Sequence, residues 1–283
     1  MSEKLKTTII ISVYKNVKAL ELVLDSILQQ SVSVDEIIVS EDGRSSEMQN
    51  FIKTLTINNL KHLTQDDLGW RKNIALNNSI KSASGEYLFF IDGDVLLHEK
   101  FIEGHLYLAK PKRVGAGKRV ELGQGYTQKL YNKEITIKKL SGSFIRRIIS
   151  LHKDKVRHYE DGIYVTPKSL IFQKFIAKKH INYLIGCNFS CYKSDMESIN
   201  GFDEEYTLPA IGEDVDINWR FRADGTEVVS CRNIANVYHL WHKKGFGSNE
   251  GEVNNKILKK NFDINRYVCL NGLKKLNTQG EET

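Results

Sequence analysis

The sequence predicts an α/β fold: a single domain with a mixed, mostly parallel central sheet flanked by helices. Two observations predict it. Over the first 92 residues, short aliphatic runs of strand length alternate with segments of helical apolar spacing, the pattern of right-handed β–α–β crossovers. The 283-residue chain is also 41% hydrophobic and 27% charged, the size and composition of one globular α/β domain.

The elements follow in order. TTIIISVY, residues 7–14, is β-branched and bounded by Lys15-Asn16, so a buried strand is expected. Residues 17–30 set Val17, Leu20, Val23, Leu24, Ile27 and Leu28 on one face and Glu21, Asp25 and Gln29 on the other, a helical spacing. DEIIVS, residues 35–40, reads as a strand running into Glu41-Asp42-Gly43. A helix over 47–55, a strand over 60–63, a helix over 70–82 stopped by Gly85, and a strand over 86–92 complete the alternation. Ligands of open parallel sheets sit at the carboxyl ends of the strands. Tyr14, Asp42 and Asp92 all fall there, so they are expected to share a pocket.

Beyond Asp94 the alternation stops. Gly115, Gly117, Gly123 and Gly125 read as loops. No GxGxxG follows a strand and no GxxxxGK[ST] occurs, which disfavours a dinucleotide or P-loop site. Phe144, Ile145, Ile148 and Ile149 share one helical face, as do Ile171, Phe172, Phe175 and Ile176. Two core-packed helices with basic outer faces are expected; interfacial helices on an anionic membrane are the alternative. Residues 181–193 return to strand, 214–222 to helix, and 228–229 and 237–240 to short strands, before a peripheral tail over 249–283.

Charge is local. Residues 138–180 hold eleven Lys/Arg against three Asp/Glu, 11 − 3 = +8, so the rest of the +6 chain sums to −2. No window approaches the roughly 18 apolar residues of a membrane span. The start, MSEKLKTTIIISVY, lacks a leader cleavage pattern, and four irregularly spaced cysteines suggest no disulfide framework, so a cytoplasmic protein with reduced thiols is expected. Cys187 and Cys191 read as small buried thiols sooner than as a zinc pair.

Three groups of residues carry chemistry. In FFIDGDVLL, residues 89–97, two acids interrupt an oily run. Buried charge is costly unless paired or bound to metal. Asp92 and Asp94 point the same way from an extended backbone, and Gly93 lets a ligand approach, so the pair suits Mg²⁺ or Mn²⁺; a solvated turn is the plain alternative. Gly212-Glu213-Asp214 opens a helix, where an acid can cap the backbone or act as a general base. His239-Leu240-Trp241-His242 sets two histidines three apart beside a strand, a fair metal-ligand pattern.

Together these pieces resemble a family 2 glycosyltransferase of the GT-A (Rossmann-like) fold. TTIIISVYKN, DEIIVSEDGR, GWRKNIALNNSIKSASGEYLFFIDGD, GCNFSCYKSD, NGFDEEYTLPAIGEDVDINWRFRADG and YHLWH occur in the expected order over residues 7–244. The second half is similar to galactosyl- and N-acetylgalactosaminyltransferases, including bacterial chondroitin-type polymerases. The resemblance implies a domain over 1–248, with a nucleotide-binding half (1–98), a variable basic segment (99–180) and an acceptor and catalytic half (181–248). It implies a UDP-sugar donor and Mn²⁺ or Mg²⁺. Tyr14 would border the uracil and Asp42 hydrogen-bond it. Arg71, with Asn73 nearby, would lie near the diphosphate. Asp92 would contact the ribose and metal side, Asp94 would ligate the metal, and His242, with His239 as alternative or addition, would complete the ligands. Asp214 would be the base and Glu213 would bind sugar or acceptor.

Residues 208–212, LPAIG, stand where many relatives have Trp-Gly-Gly. The expected activity is inverting transfer of a Gal-, GalNAc- or Glc-type sugar to a hydroxyl of a glycan or lipid-linked acceptor in surface polysaccharide synthesis. The basic segment 138–180 would contact the inner face of the cytoplasmic membrane, or an acidic glycan. A nucleotidyltransferase would show a Gly-rich loop where the chain has VYKNVKAL, and a non-catalytic carbohydrate- or nucleic-acid-binding protein leaves the ordered acids unexplained. No nucleic-acid partner is expected, because the basic segment lacks interleaved aromatics.

Overall fold

β1 (Thr7–Val13), α1 (Val17–Leu28), β2 (Glu36–Glu41), α2 (Ser46–Thr54), β3 (Leu60–Thr64), α3 (Lys72–Ser82) and β4 (Tyr87–Asp92) open the computed structural model. It describes residues 4–176, 183–209, 214–243 and 248–283. These seven elements lie within two residues of the expected bounds. Asn16 and Ser45 cap α1 and α2, accepting from the Ala19 and Met48 N–H groups. β1 pairs in parallel with β2 and β4, so Ser12 lies opposite both Ser40 and Asp92. Alternate residues feed two apolar layers. Ile9, Ile11, Phe89 and Ile91 pack with α1, while Ile10, Ile38, Leu88 and Phe90 pack with α3.

The chain continues through β5 (Val95–Leu97), α4 (Phe101–Leu108), β6 (Arg113–Ala116), β7 (Val120–Glu121), α5 (Gln124–Tyr131), α6 (Ile137–Gly142) and α7 (Ile148–Lys153). β8 (Phe189–Tyr192), α8 (Lys193–Ser198), α9 (Asp214–Ala223), β9 (Glu227–Ser230), β10 (Val237–His239) and α10 (Ser248–Asp263) follow. The central sheet runs β3-β2-β1-β4-β8-β6-β9. β8 is antiparallel to both β4 and β6, which makes the sheet mixed, and Phe189 stacks on Phe90 with centroids 4.4 Å apart. A second sheet, β5-β10-β7, sits at the exit of β4. Among the described residues, no helix is long and apolar enough to cross a membrane.

A buried polar cluster ties α4 to the sheet. The His105 ring lies 2.7 Å from Ser190 Oγ and 3.0 Å from Asn188 Oδ1, and Tyr87 Oη lies 2.8 Å from the same serine oxygen. Burial pushes the imidazole pKa of His105 down to about 4, and that of His98, stacked on Tyr164, likewise to about 4.

Several expectations beyond Asp94 are corrected. The glycine-rich stretch is not loop alone: Gly115 lies in β6, paired between β8 and β9, where a Cβ would fall 3.2 Å from both His105 and Ser190. The two amphipathic segments are not core-packed on a whole face. Phe144, Leu151, Phe172 and Ile176 are buried, but Ile145 is 62% exposed, Ile149 72% and Phe175 67%. The first segment breaks into a 3-10 turn and α7, and the second is a π-helical turn over Phe172–Ile176, so neither keeps one regular face. Residues 177–180 lie outside the described residues. The tail is docked, not merely peripheral: Cys269 is buried, and the Asn200 side-chain amide donates to Cys269 O (2.7 Å) and Lys274 O (3.0 Å). All four cysteines are buried and free.

Candidate active site

The turn after β4 shows why the FFIDGDVLL acids are tolerated. The Gly93 N–H donates to Ser12 O at 2.7 Å, extending the β1–β4 ladder by one residue. A Cβ at Gly93 would lie 2.6 Å from Val13 Cγ1, so the tight approach of the two strands requires glycine. Asp94 O then accepts from the Leu240 N–H at 2.9 Å, and the antiparallel β5–β10 register sets His239 opposite Val95. Two short strands thus bring His239 and His242 to Asp94 across about 145 residues of sequence, 239 − 94 = 145.

Asp94 Oδ2 lies 3.5 Å from His239 Nε2 and 3.3 Å from His242 Nε2. One ligand atom from each of the three groups falls within 4.8 Å of the others. Asp94 Oδ1 is buried and finds no hydrogen-bond partner among the described residues. Burial would raise the Asp94 carboxyl, but the His242 hydrogen bond and the neighbouring imidazoles hold it below the usual carboxylate range. The same hydrogen bond lifts His242 to about 9, while burial pushes His239 down. An orphaned carboxylate oxygen beside two imidazole nitrogens fits a divalent cation. Asp92 stands apart from this set: its Oδ1 pairs with Lys72 Nζ at 2.7 Å.

At the ends of β1 and β2, Asp42 is fixed by its neighbours. Its Oδ2 accepts from the Arg71 N–H (2.8 Å) and its Oδ1 from Gln65 Nε2 (2.7 Å). Tyr14 is 55% exposed, and its hydroxyl donates to Asp67 Oδ2 at 3.4 Å. Across the cleft, Asp214 opens α9 and accepts from the Val215 N–H at 2.8 Å. Burial raises its pKa, against the Val215 N–H and the Lys72 charge. Glu213 and Gly212 lie outside the described residues.

A cleft of about 1670 Å³ gathers these groups: Tyr14, Asp42, Asp92, Gly93, Asp94, Asp214, His239 and His242 all line it. Arg71 and Asn73 do not. The Arg71 guanidinium turns to Asp66 O, and the buried Asn73 amide donates to Asp203 O at 2.7 Å, clipping α3 to the turn after Ile199. The cation that meets Asp92 in the cleft is Lys72, one residue later, which sequence adjacency could not select. Arg119 and Glu121 were also missed. They lie on or beside the two-residue β7, whose only signal is its pairing with β10, His239 opposite Glu121.

A strand-end carboxylate, Asp94, facing two histidines at the carboxyl edge of a mixed, mostly parallel sheet places this chain among the open-sheet α/β proteins, which bind ligands at that edge. The chain belongs to glycosyl transferase family 2, whose model matches residues 8–178. The model described as the N-terminal domain of galactosyltransferase matches residues 166–243. The chain is 24% identical over 235 residues to validoxylamine A glucosyltransferase of Streptomyces hygroscopicus subsp. jinggangensis, covering 80% of this chain and 53% of that protein. The subsp. limoneus protein of the same name is also 24% identical, with 49% of it covered. The chain thus spans about half the length of the curated relatives it matches.

Two solved structures share the GT-A fold. GalNAc-T7 with UDP, GalNAc and Mn²⁺ superposes with a TM-score of 0.62 at 12% identity, covering 92% of this chain and 48% of that one. The mannosyltransferase PcManGT of Pyrobaculum calidifontis, with GDP-Man and Mn²⁺, gives 0.53 at 16% identity, covering 87% and 59%.

Proposed function

We propose that the protein transfers a hexose of the Glc, Gal or GalNAc type from a UDP-sugar to a hydroxyl of a glycan or lipid-linked glycan, with inversion, in surface polysaccharide synthesis. The observation that carries this reading is the Asp94–His239–His242 cluster facing Asp214 across one cleft. The relatives' names and the neighbours' bound nucleotides support it. The cleft also exceeds the roughly 300–1,000 Å³ of a single-ligand pocket, leaving room for donor and acceptor together.

Asp94, His239 and His242 would hold the cation. A mixed set of two imidazoles and a carboxylate suits Mn²⁺ better than Mg²⁺, which prefers an all-oxygen shell. Bound there, it would supply charge stabilisation for the departing diphosphate. Asp42 and Tyr14 would hold the uracil. Lys72 keeps Asp92 paired and places positive charge between Asp92 and Asp214.

Among the described residues, Asp214 is the base we assign. Six carboxylates line the cleft among the described residues. Gln65 and the Arg71 N–H occupy Asp42, Lys72 occupies Asp92, the imidazoles Asp94, Arg119 and Arg157 Glu121, and the Gly125 and Tyr126 N–H groups Asp154. Asp214, at the start of α9 and with burial raising its pKa, would take the acceptor hydroxyl's proton. The hydroxyl oxygen bonds to the anomeric carbon as the bond to UDP breaks, and the diphosphate keeps that electron pair. One displacement inverts the centre.

UDP release should be screened over UDP-Glc, UDP-Gal, UDP-GalNAc, UDP-GlcNAc and UDP-GlcA with simple sugar acceptors. Asp214→Asn should lose at least about 10²-fold in transfer yet keep its Mn²⁺-dependent thermal stabilisation by UDP; Asp94→Ala should lose that stabilisation. Normal transfer by Asp214→Asn would reject the base.

We also propose that the protein works in the cytoplasm on the inner membrane face. Ile145, Ile149, Leu170 and Phe175, each at least 60% exposed, alternate with Arg146, Arg147, Lys168 and Lys174, a composition suited to anionic lipid. Sedimentation with anionic but not neutral liposomes is expected; no binding to either sinks this placement.

A further inference from the structure

Beyond β7 the cleft carries cations that the donor chemistry does not use. Lys153, Lys155 and Arg157 line it, on the segment leaving α7. Arg157 is neutralised by Glu121. The side chains of Lys153 and Lys155 make no ion pair or hydrogen bond among the described residues. The carboxylate between them, Asp154, lines the cleft too, but its oxygens are taken up by the Gly125 and Tyr126 N–H groups, both at 2.8 Å, and not by either lysine. Two lysines against that one carboxylate leave this end of the cleft with an excess of positive charge.

The segment is docked, so these lysines are not on a loose loop. Glu121 and Arg157 exchange backbone hydrogen bonds at 3.1 and 2.9 Å. A Cβ at Gly123 would lie 1.7 Å from Asp154 O, so only glycine lets α5 approach this closely. Lys155 itself takes the left-handed conformation at φ +58°, an uncommon state for a side-chain-bearing residue that the docking imposes.

Position assigns the ligand. The small sheet runs β5-β10-β7, away from β4 and the nucleotide end, and the bridge to Arg157 adds a further line beyond β7. His239 lies opposite Glu121, which lies opposite Arg157. Two strand spacings, roughly 10 Å, separate residue 157 from His239. An anion held on this segment sits across β7 from the cation site.

We infer that Lys153 and Lys155 form an anion subsite for the acceptor. The accepting sugar would thus carry a negative group, a carboxylate of an acidic glycan or the diphosphate of a lipid carrier. This rests on the transferase reading above.

The test compares three acceptors with the active donor at low salt: a neutral methyl hexoside, the matching methyl hexuronide, and a farnesyl-diphosphate-linked hexose. We expect at least one anionic acceptor to exceed the neutral one about tenfold in kcat/KM, and salt to erode that preference. A hexuronide preference names an acidic glycan, and a diphosphate preference a lipid-linked one. Lys153→Gln/Lys155→Gln should collapse the preference about tenfold, and Lys153→Arg/Lys155→Arg should restore it.

Three outcomes overturn the subsite: equal use of neutral and anionic acceptors, a preference that survives the double glutamine variant, or an equal rise in the UDP-sugar KM, which would place the lysines on the donor. UDP release without anion preference fails the subsite alone. A protein that neither binds UDP nor releases it from any donor fails the transferase reading, and the subsite with it.

Discussion

Asp214 begins α9 in surroundings that favour its protonated form, and burial is the largest cause. As the base it must be ionised, so kcat/KM should fall on the acid side through a midpoint above the usual carboxyl value of about 4. A pH profile of transfer measures this, and an acid limb at or below about pH 4 would reject Asp214 as the base. Gly93 makes a second point at this scale. Gly93→Ala puts a Cβ 2.6 Å from Val13 Cγ1 and 3.1 Å from Ser12 O, so the turn carrying Asp92 and Asp94 must move. We expect the variant to fold and to lose at least tenfold in Mn²⁺-dependent UDP affinity by calorimetry, since a displacement near 1 Å at a reacting centre is costly. Wild-type affinity would show that the turn has slack. The acids themselves were legible in the sequence because charge in an oily strand demands an explanation. Lys72 was not, since Arg71 and Lys72 are adjacent and only the backbone direction entering α3 decides which side chain meets Asp92.

Among the elements, α4 is joined to β8 through His105, Asn188 and Ser190. His105 and His98 are held neutral, with pKa values near 4 in the fold against about 6.5 when unfolded. Between those values the unfolded chain binds more protons, so stability is present near pH 7 and is lost as pH falls below about 6.5, by up to about 1.4 kcal/mol per pH unit for each histidine. Urea titrations from pH 7.5 to 5 should show this loss, and His105→Gln should be less stable at pH 7.5 but flatter with pH. A slope unchanged in the variant would refute the role of His105. Elements with a period were legible from sequence and those without one were not. β1 to β4 and their helices repeat at 2 or 3.6 residues over long enough runs. β5 and β7 are three and two residues long, and only their pairing with β10, itself legible as a short strand over 237–240, defines them. That is why Asp94, His239 and His242 could be set on one metal only through the family resemblance, and not from the spacing of the residues.

On the scale of the whole molecule, the C-terminal segment closes the catalytic half. Both donor hydrogens of the Asn200 amide and its oxygen are bonded to residues 269 and 274, and Cys269 is buried against the same turn. That turn is clipped in its own right to α3 by Asn73 and Asn77. Truncation after Asp263 should therefore cost several kcal/mol, roughly 5–10 °C in Tm at this chain length. A shift under about 2 °C would show the segment to be dispensable. Its polar, weakly periodic sequence hid this role, because its anchors are single side chains rather than a hydrophobic face.

The position of β8 in the central sheet also sets a timetable for synthesis. β4 finds its outer partner only in β8, whose first residue comes 189 − 92 = 97 residues after the end of β4. At ribosomal rates of about 5–20 residues per second, the Tyr87–Phe90 edge waits roughly 5–20 s for its neighbour. For that interval the nascent four-stranded half presents an open, strongly apolar edge, the kind of surface that recruits other chains. Slow translation between Val95 and Tyr192 should thus lower soluble yield, and a holding chaperone should restore it.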